Sequence, residues 1–337
     1  MRTVLLGALL IAIIVSAVWL ARESGLIHSL KLGRGNGIAR HGFLHVEGVQ
    51  LTDAHGKALQ LRGMSSHGLQ WYPAYVNYQA LVTTREYGAN LFRAAMYADS
   101  IHDGYNQDEK LRHWNGSMLH IAIENALGAD MYVIADWHLL MDGNPLTHVE
   151  EAVRFFDGLS KRYANEPGVL YEICNEPNGE TTWADIRTYA EEVIPVIRKN
   201  SPDAVILVGT PDFSTGLQEV AQSPLDFDNI MYSYHFYTSY DSPYEAELDA
   251  AREAGLPVFV TEWGIGLKNG RSQEEASEEA NAFIAYLKQH TISWAGWSLS
   301  NKAEPYAAIR ADVDALSGWT EEDLTPSGKL VFDALAQ

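Results

Sequence analysis

Residues 169–179 read VLYEICNEPNG, and residues 257–264 read PVFVTEWG. Each stretch is a short, mostly apolar run that reaches a glutamate, Glu176 in the first and Glu262 in the second. Such runs are typical of strands buried on both faces, as in a parallel sheet. The two glutamates therefore mark points where buried strands meet solvent, and the strands indicate an α/β fold.

Six further apolar runs of similar length follow the same pattern. They are LQLRGMSS from residue 59, NLFRAAMY from 90, MYVIADWH from 131, AVILVGT from 204, IMYSYHFY from 230 and SWAGWSLS from 293. Helix-periodic stretches lie between the runs, such as HVEEAVRFFDGLSKRYA at 148–164 and SQEEASEEANAFIAYLKQH at 272–290. A repeat of roughly 33 residues over about 250 residues predicts a single-domain (β/α)8 TIM barrel.

The residues around the first run decide between two α/β architectures. A doubly wound open sheet would normally carry a glycine-rich phosphate turn after its first strand. The residues there, RGMSSHGLQW at 62–71, are not such a turn. Just upstream, LHVEGVQLTDAHGKALQL at 44–61 predicts a short hairpin around Asp53, His55 and Gly56 that leads into the barrel.

The N-terminus predicts export. Met1 and Arg2 precede an uncharged apolar run from Val4 to Ala21, which is long for the core of a signal peptide and of borderline length for a membrane-spanning helix. We interpret residues 1–21 as a signal peptide or N-terminal membrane anchor, 22–40 as a linker and 41–337 as the barrel domain. The expected location is secreted or periplasmic, with membrane contact only through an uncleaved N-terminal segment.

Composition excludes several classes of function. The 337 residues include 24 Lys plus Arg and 44 Asp plus Glu, which gives a formal charge of −20. An acidic chain with no basic cluster repels phosphate backbones, so nucleic acid is excluded as a partner. Cys174 is the single cysteine, which excludes an intrachain disulfide and a multi-cysteine zinc site. We interpret it as a small core residue, and we expect a monomer.

Polar side chains crowd the predicted strand ends, where a barrel of this type carries its active site. Glu176 and Glu262 follow the fourth and seventh strands, which lie across the barrel from each other. Two carboxylates facing each other over a cleft fit glycoside hydrolysis, in which one protonates the leaving oxygen and the other attacks the anomeric carbon. A retaining mechanism requires about 5–5.5 Å between the two carboxyl groups.

Other strand ends supply donors and aromatic rings. Four donors could hold the attacking carboxylate or bind the sugar 2-hydroxyl: Arg93, Asn175, His235 and Tyr237. Six aromatic residues lie at or just past strand ends: Trp71, Tyr72, Tyr97, Trp137, Trp263 and Trp297. We expect Trp137 and Trp263 to pack in the core, and Trp71 and Trp297 to contact sugar.

A metal centre is the rival interpretation of the histidines His67, His138 and His235, which fall on the first, third and sixth strands. Metal-dependent barrel hydrolases commonly place two histidines at alternate positions of the first strand, and MSSHGL at 64–69 offers one. The His-Glu-x-x-His spacing of zinc proteases is also absent from the sequence. We therefore predict no metal and no cofactor.

Seven segments, in order along the whole domain, resemble glycoside hydrolase family 5, in particular its bacterial endo-β-1,4-glucanase (cellulase) branch. They are MSSHGLQWY at 64–72, NLFRAAMY at 90–97, IADWH at 134–138, YEICNEPNG at 171–179, YSYHFY at 232–237, FVTEWG at 259–264 and WAGWSLSNKAE at 294–304. One difference is the segment after Tyr237, TSYDSPYEAE at 238–247, which is shorter and less aromatic than in many relatives.

The resemblance implies a retaining mechanism with Glu176 as proton donor and Glu262 as nucleophile. It further implies that Arg93 and Tyr237 hold Glu262, that Asn175 binds the 2-hydroxyl, and that His138 and His235 shape that subsite with Trp297 stacked beneath the sugar. The remaining positions that match glucosyl contacts of the branch are His67, Trp71, Tyr72, Tyr97, Lys302, Glu304 and, in the loop after Glu262, Lys268.

The resulting hypothesis is an endo-β-1,4-glucanase that acts on a β-glucan polysaccharide or oligosaccharide. A mannanase, a xyloglucanase or a mixed-linkage β-glucanase on the same barrel is the alternative within the class. A glycan-binding barrel without turnover is the alternative outside it, although such a protein would be expected to have lost one of the two glutamates. Because the barrel sequence runs to the last residues, we expect activity on soluble or amorphous glucan.

Overall fold

The computed structural model describes residues 36–267 and 270–337. The predicted signal or anchor, most of the predicted linker and Lys268 lie outside the described residues. Within the described ranges, no helix combines the length and the apolar character needed to cross a bilayer.

Eight parallel strands close into a barrel, as predicted. Two short strands, β1 (His45–Glu47) and β2 (Gln50–Thr52), precede the barrel. The barrel strands are β3 (Arg62–Ser66), β4 (Leu91–Tyr97), β5 (Tyr132–His138), β6 (Val169–Glu172), β7 (Ile206–Val208), β8 (Ile230–Tyr237), β9 (Val258–Gly264) and β10 (Trp294–Leu299). Each strand pairs with its neighbour in sequence, and β10 pairs with β3 to close the ring. The carboxyl ends of all eight strands therefore meet at one face.

Helices alternate with the strands and cover the barrel. Their bounds are α1 (Ile38–His41), α2 (Tyr78–Glu86), α3 (Glu109–Gly128), α4 (Val149–Arg162), α5 (Trp183–Asn200), α6 (Pro211–Ser214), α7 (Leu217–Gln222), α8 (Tyr244–Glu253), α9 (Gln273–His290) and α10 (Pro326–Leu335), with 3-10 turns at Pro73–Val76, Pro145–His148 and Glu321–Asp323. Capping boxes begin α5 at Thr182 and α9 at Ser272, and each box satisfies backbone N–H groups that have no partner inside the helix.

Apolar side chains form two buried layers, one between the strands and the helices and one inside the barrel. Between the strands and the helices, Trp137 packs against Phe155 at 4.9 Å between ring centroids, and Trp263 lies 6.3 Å from Phe283. Both tryptophans are buried, as predicted. Cys174 is also fully buried in this layer, where burial raises the pKa of its thiol, so it is an unreactive core residue.

The chain before β3 closes the end of the barrel opposite the carboxyl ends of the strands. Strands β1 (His45–Glu47) and β2 (Gln50–Thr52) pair across a turn at Gly48, which adopts φ +60°. The reversal predicted around Asp53 is a second turn, after which Ala58 pairs with Thr52. The apolar residues of this segment pack against strand side chains at that end of the barrel interior. The cluster includes Leu44, Leu51, Leu59, Leu91, Tyr132 and Phe259.

Residues 36–41, assigned mostly to the linker from the sequence, contact the barrel. The backbone N–H of Ala39 donates to Asp130 at 2.7 Å, and the His41 ring lies 2.8 Å from Asp53. These described residues therefore pack against the rest of the domain.

Candidate active site

A cleft of about 610 Å³ opens at the face where the carboxyl ends of the strands meet. Among its lining residues are ten of the predicted site residues: His67, Tyr97, His138, Glu176, His235, Tyr237, Glu262, Trp297, Lys302 and Glu304. Trp71 and Tyr72 are not among the lining residues, and their rings lie 5.7 Å and 4.9 Å from the His67 ring. The barrel thus brings together side chains that are far apart in the sequence.

Glu176 and Glu262 face each other in this cleft. One carboxylate oxygen of each lies within 4.8 Å of the other and of a His235 ring nitrogen. Glu262 belongs to β9, whereas Glu176 follows β6 and is held by its backbone N–H, which donates to the Leu139 carbonyl at 3.1 Å. The distance of at most 4.8 Å between the Glu176 and Glu262 oxygens is near the 5–5.5 Å typical of retaining glycosidases. It is well below the range of about 6.5–9.5 Å of inverting enzymes.

Two donors hold the Glu262 carboxylate. Arg93 Nη1 donates to Oε1 and the Tyr237 hydroxyl donates to Oε2, each at 2.7 Å. Glu262 is 3% exposed, so these bonds replace water almost completely. They leave the carboxylate fixed in one orientation across from Glu176.

Arg93 is fully buried and binds more than Glu262. Its Nε donates to Glu172 at 2.6 Å, and its Nη2 lies 2.9 Å from Asp136. Burial alone would lower the pKa of Arg93, but the carboxylates of Asp136, Glu172 and Glu262 outweigh burial and raise it well above the usual value. The guanidinium is therefore a permanent cation inside the barrel.

Asp136 and Glu172 were not identified from the sequence. Both are fully buried within strands β5 and β6. The sequence does indicate that they have partners. Each is a charged residue inside an otherwise apolar strand, and a buried charge must be paired. Since Arg93 also interrupts an apolar strand, the three charges could have been matched to one another.

The environment of Glu176 differs from that of Glu262. Burial raises the pKa of Glu176 to about 8, with Arg93 opposing the rise and Glu172 adding to it. Its Oε1 lies 2.7 Å from His235 Nδ1, and His235 Nε2 lies 2.9 Å from the Thr261 hydroxyl. Burial lowers the pKa of His235 to about 4, so the ring is neutral near pH 7. Glu176 therefore keeps its proton at neutral pH.

His138 and Asn175 form a second hydrogen-bonded pair beside the glutamates. His138 Nδ1 lies 2.7 Å from Asp136, and its Nε2 lies 3.3 Å from the Asn175 amide nitrogen. Burial lowers the pKa of His138 to about 3, which makes the ring neutral. Because the Asp136 carboxylate accepts from Nδ1–H, Nε2 accepts from Asn175. The Asn175 oxygen in turn accepts from Arg93 at 2.6 Å.

Aromatic rings form one wall of the cleft. The Trp297 ring stacks on His138, with centroids 5.4 Å apart and planes at 19°, and lies 5.2 Å from His67. Tyr97 packs 4.2 Å from His138 and 4.8 Å from Trp71, which is 40% exposed. A ring wall with one exposed tryptophan at its edge suits the flat faces of sugars.

Lys302 and Glu304 lie beside His67 in the cleft. Lys302 Nζ donates to Glu304 at 2.7 Å and lies 3.1 Å from His67 Nε2. Burial, together with the charge of Lys302, lowers the pKa of His67 to about 3. A neutral imidazole, an ammonium and a carboxylate at one end of the cleft provide donors and acceptors for hydroxyl groups.

The wall beyond Glu176 contains cleft residues that the sequence analysis missed. Phe213, in the loop after β7, is 50% exposed, and Tyr240, in the segment after Tyr237, is 68% exposed. Both line the cleft with Asp212, Thr215 and Tyr306. The sequence signal was an aromatic residue just past a strand end, the same signal that identified Trp71. The segment after Tyr237 therefore does present an aromatic ring.

Glu176, His235 and Glu262 are also the one group of described side chains whose spacing would permit a metal ion. The Arg93 guanidinium, 2.7 Å from the Glu262 oxygen, opposes a second cation there. His235 Nδ1 and Glu176 already satisfy each other. The donor set therefore fits proton transfer better than metal binding.

A (β/α)8 barrel with two facing carboxyl groups at this separation, one of them protonated at neutral pH, defines a retaining glycoside hydrolase. The sequence model of the family described as Cellulase (glycosyl hydrolase family 5) matches residues 52–303. The chain belongs to this family, and the predicted resemblance is confirmed.

Curated relatives and solved structures agree with this assignment. The chain is 44% identical to Endoglucanase A of Butyrivibrio fibrisolvens over 306 residues, which cover 88% of this chain and 69% of that one. It is 40% identical to the Endoglucanase of Clostridium saccharobutylicum over 296 residues, 86% of this chain and 64% of the relative. The crystal structure of the catalytic domain of Thermobifida fusca endoglucanase Cel5A is 36% identical with a TM-score of 0.82, covering 89% of this chain and 99% of that domain.

Replacing Arg93 tests how far the site depends on the buried cation. We expect Arg93→Met to lower the free energy of unfolding by about 3–5 kcal/mol, because three carboxylates lose their partner. Arg154→Met is the matched control, since Arg154 is 64% exposed and pairs with Glu151 on the surface. It should change stability by less than about 1 kcal/mol. Urea unfolding measures both, and equal stability of the two variants would contradict the prediction.

Proposed function

We propose that this chain is an endo-β-1,4-glucanase that hydrolyses internal β-1,4-glucosidic bonds of cellulose-type glucans by a retaining double displacement. The observation that carries the proposal is the pair of facing glutamates within 4.8 Å in a barrel of this family. The names of the relatives support the substrate, as does a 35% identical neighbour, an endoglucanase solved in complex with cellotetraose. The alternative of a mannanase or xyloglucanase is not favoured by these relatives.

In the first step, Glu262 is the nucleophile and Glu176 the acid. A Glu262 oxygen attacks the anomeric carbon and forms a glycosyl ester, while the bond from that carbon to the leaving oxygen breaks. Glu176 gives its proton to the leaving oxygen, so the departing sugar leaves as a neutral hydroxyl. The raised pKa of Glu176, about 8, keeps that proton available at neutral pH.

In the second step, Glu176 acts as a base. Now ionised, it takes a proton from water as the water oxygen attacks the anomeric carbon. The ester bond to Glu262 breaks, the free sugar leaves with retained configuration, and both carboxyl groups return to their starting states. The two glutamates and water thus supply the nucleophiles and the protons of this cycle.

The neighbouring side chains have roles that follow from their contacts. Arg93 and Tyr237 hold Glu262 at the reacting carbon. The Asn175 oxygen accepts from Arg93 and retains a second lone pair, with which it can accept from the substrate 2-hydroxyl. Trp297, stacked on His138, offers a ring face to the same sugar.

Activity on defined glycans tests the proposal. We expect the chain to release reducing sugar from carboxymethylcellulose, and Glu262→Ala to reduce that release at least about 10³-fold, because the covalent step loses its nucleophile. Glu274→Ala, at an exposed position of α9, is the control and should retain activity. Glucomannan, xyloglucan and mixed-linkage β-glucan are assayed beside it. Activity confined to mannan or xyloglucan would contradict the glucanase assignment, and no activity on any glycan would favour a binding protein.

The pH dependence tests the role of Glu176. Its pKa is raised, so the protonated form that donates to the leaving oxygen is lost as pH rises through about 8. We therefore expect kcat/KM on cellotetraose to fall above about pH 8. Glu176→Gln, measured on an aryl cellobioside whose leaving group needs no proton, should lack this fall. A basic limb that persists in the variant would assign it to another group.

We further propose that the domain acts outside the cytoplasm, secreted or periplasmic, or held at the membrane by its N-terminal segment. The support is the apolar run from Val4 to Ala21 behind Arg2. Deleting residues 1–21 should move glucanase activity into the cytoplasmic fraction, whereas the full chain should release it outside or to the membrane. Cytoplasmic activity of the full chain would overturn this proposal.

A further inference from the structure

The loop after β7 holds the segment that carries Glu176. Gly209 N–H donates to the Cys174 carbonyl at 3.0 Å, and Phe213 N–H donates to the Pro177 carbonyl at 3.0 Å. Between these two bonds, the Ser214 hydroxyl donates to the Asn175 carbonyl at 2.6 Å. Three carbonyls on either side of Glu176 are thus fixed by one neighbouring loop.

Ser214 reaches this position through an unusual backbone. Asp212, Phe213 and Ser214 have φ of +54°, +58° and +59°, in the left-handed region that non-glycine residues rarely occupy. Each such residue costs roughly 1–2 kcal/mol, so the surrounding contacts must maintain the turn. Ser214 is fully buried, and its hydroxyl oxygen also accepts from the Thr210 N–H at 3.2 Å.

The hydroxyl acts on the peptide unit that enters Glu176. The Asn175 carbonyl belongs to the peptide bond whose nitrogen is that of Glu176, and this N–H donates to the Leu139 carbonyl at 3.1 Å. The two bonds pull on opposite sides of one planar unit and set its rotation. The direction of the Glu176 side chain toward His235 and the cleft depends on that rotation.

We propose that Ser214 is a positioning residue for the proton transfers of Glu176, acting through the Asn175–Glu176 peptide. The proposal rests on the proposed glucanase mechanism and deepens it. Proton transfer requires the acid within hydrogen-bond reach of the leaving oxygen, and small displacements are costly. Ser214 is fully buried and does not line the cleft.

Two variants separate the hydroxyl from the backbone strain. Ser214→Ala removes the hydroxyl and keeps a Cβ in the left-handed region. Ser214→Gly removes the hydroxyl but favours that region, since glycine has no Cβ. Ser160→Ala is the matched control, because Ser160 is also fully buried and donates to a backbone carbonyl, that of Phe156, at 2.6 Å within α4. Circular dichroism verifies the fold of each variant.

Substrates with different leaving groups report on the acid. Cellotetraose needs a proton on its leaving oxygen, whereas 2,4-dinitrophenyl β-cellobioside releases a stable anion without one. For both Ser214 variants we expect kcat/KM on cellotetraose to fall at least about tenfold, while kcat/KM on the dinitrophenyl substrate stays within about twofold. The kcat on the dinitrophenyl substrate should fall, because breakdown of the glycosyl ester uses Glu176 as base. Ser160→Ala should match the wild type on both substrates.

The outcomes are distinguishable. Equal losses in kcat/KM on both substrates would mean a general structural role, and no loss on cellotetraose in the glycine variant would mean that the hydroxyl is dispensable. Either result would overturn the inference while leaving the mechanism intact, provided that Glu176→Gln shows the leaving-group dependence. A wild-type chain inactive on both substrates would overturn the mechanism and the inference together.

Discussion

The ion pairs of Arg93 are the constraint on which the rest of the site depends. This guanidinium from β4 has no exposed surface, yet it binds Asp136 of β5, Glu172 of β6 and Glu262 of β9. A charge buried in this way is tolerated only where partners of opposite sign satisfy its donors. The planar fork of arginine reaches several carboxylates at fixed angles, which lysine does not. One side chain therefore fixes four strands and one of the two glutamates.

The difference between the two glutamates follows from that arrangement. Arg93 and Tyr237 donate directly to Glu262. Glu176 instead contacts a neutral His235 and no arginine among the described residues, and burial raises its pKa. Two carboxyl groups of the same type thus acquire different surroundings, which suit the opposite roles of acid and nucleophile in the proposed mechanism. The barrel achieves this by supplying them from different strands.

Much of the fold and the centre of the site could be predicted from the sequence, because short apolar runs and their polar ends are local signals. The runs located all eight strands, and the ends located Glu176 and Glu262. Phe213 carries the same local signal as Trp71, an aromatic residue just past a strand end, but its exposure in the cleft also depends on a left-handed turn that no local pattern indicates. Asp136 and Glu172 were missed because a charge inside an apolar strand shows that a partner is needed, but not which distant residue supplies it. Residues such as Ser214, which act through a carbonyl, leave no side-chain pattern at all.

The sequence separation within the site has a consequence for how the chain folds. Arg93 and Glu262 are 169 residues apart, so most of the barrel must be ordered before they can meet. Closing so long a loop costs entropy that only the finished ring of strands can offset. In a nascent chain, β4 is therefore synthesised before β9. Until β9 is present, water must solvate the part of the Arg93 guanidinium that later binds Glu262. During refolding, glycan-hydrolysing activity should appear in one late step, together with barrel closure. It should not increase in parallel with the helix content.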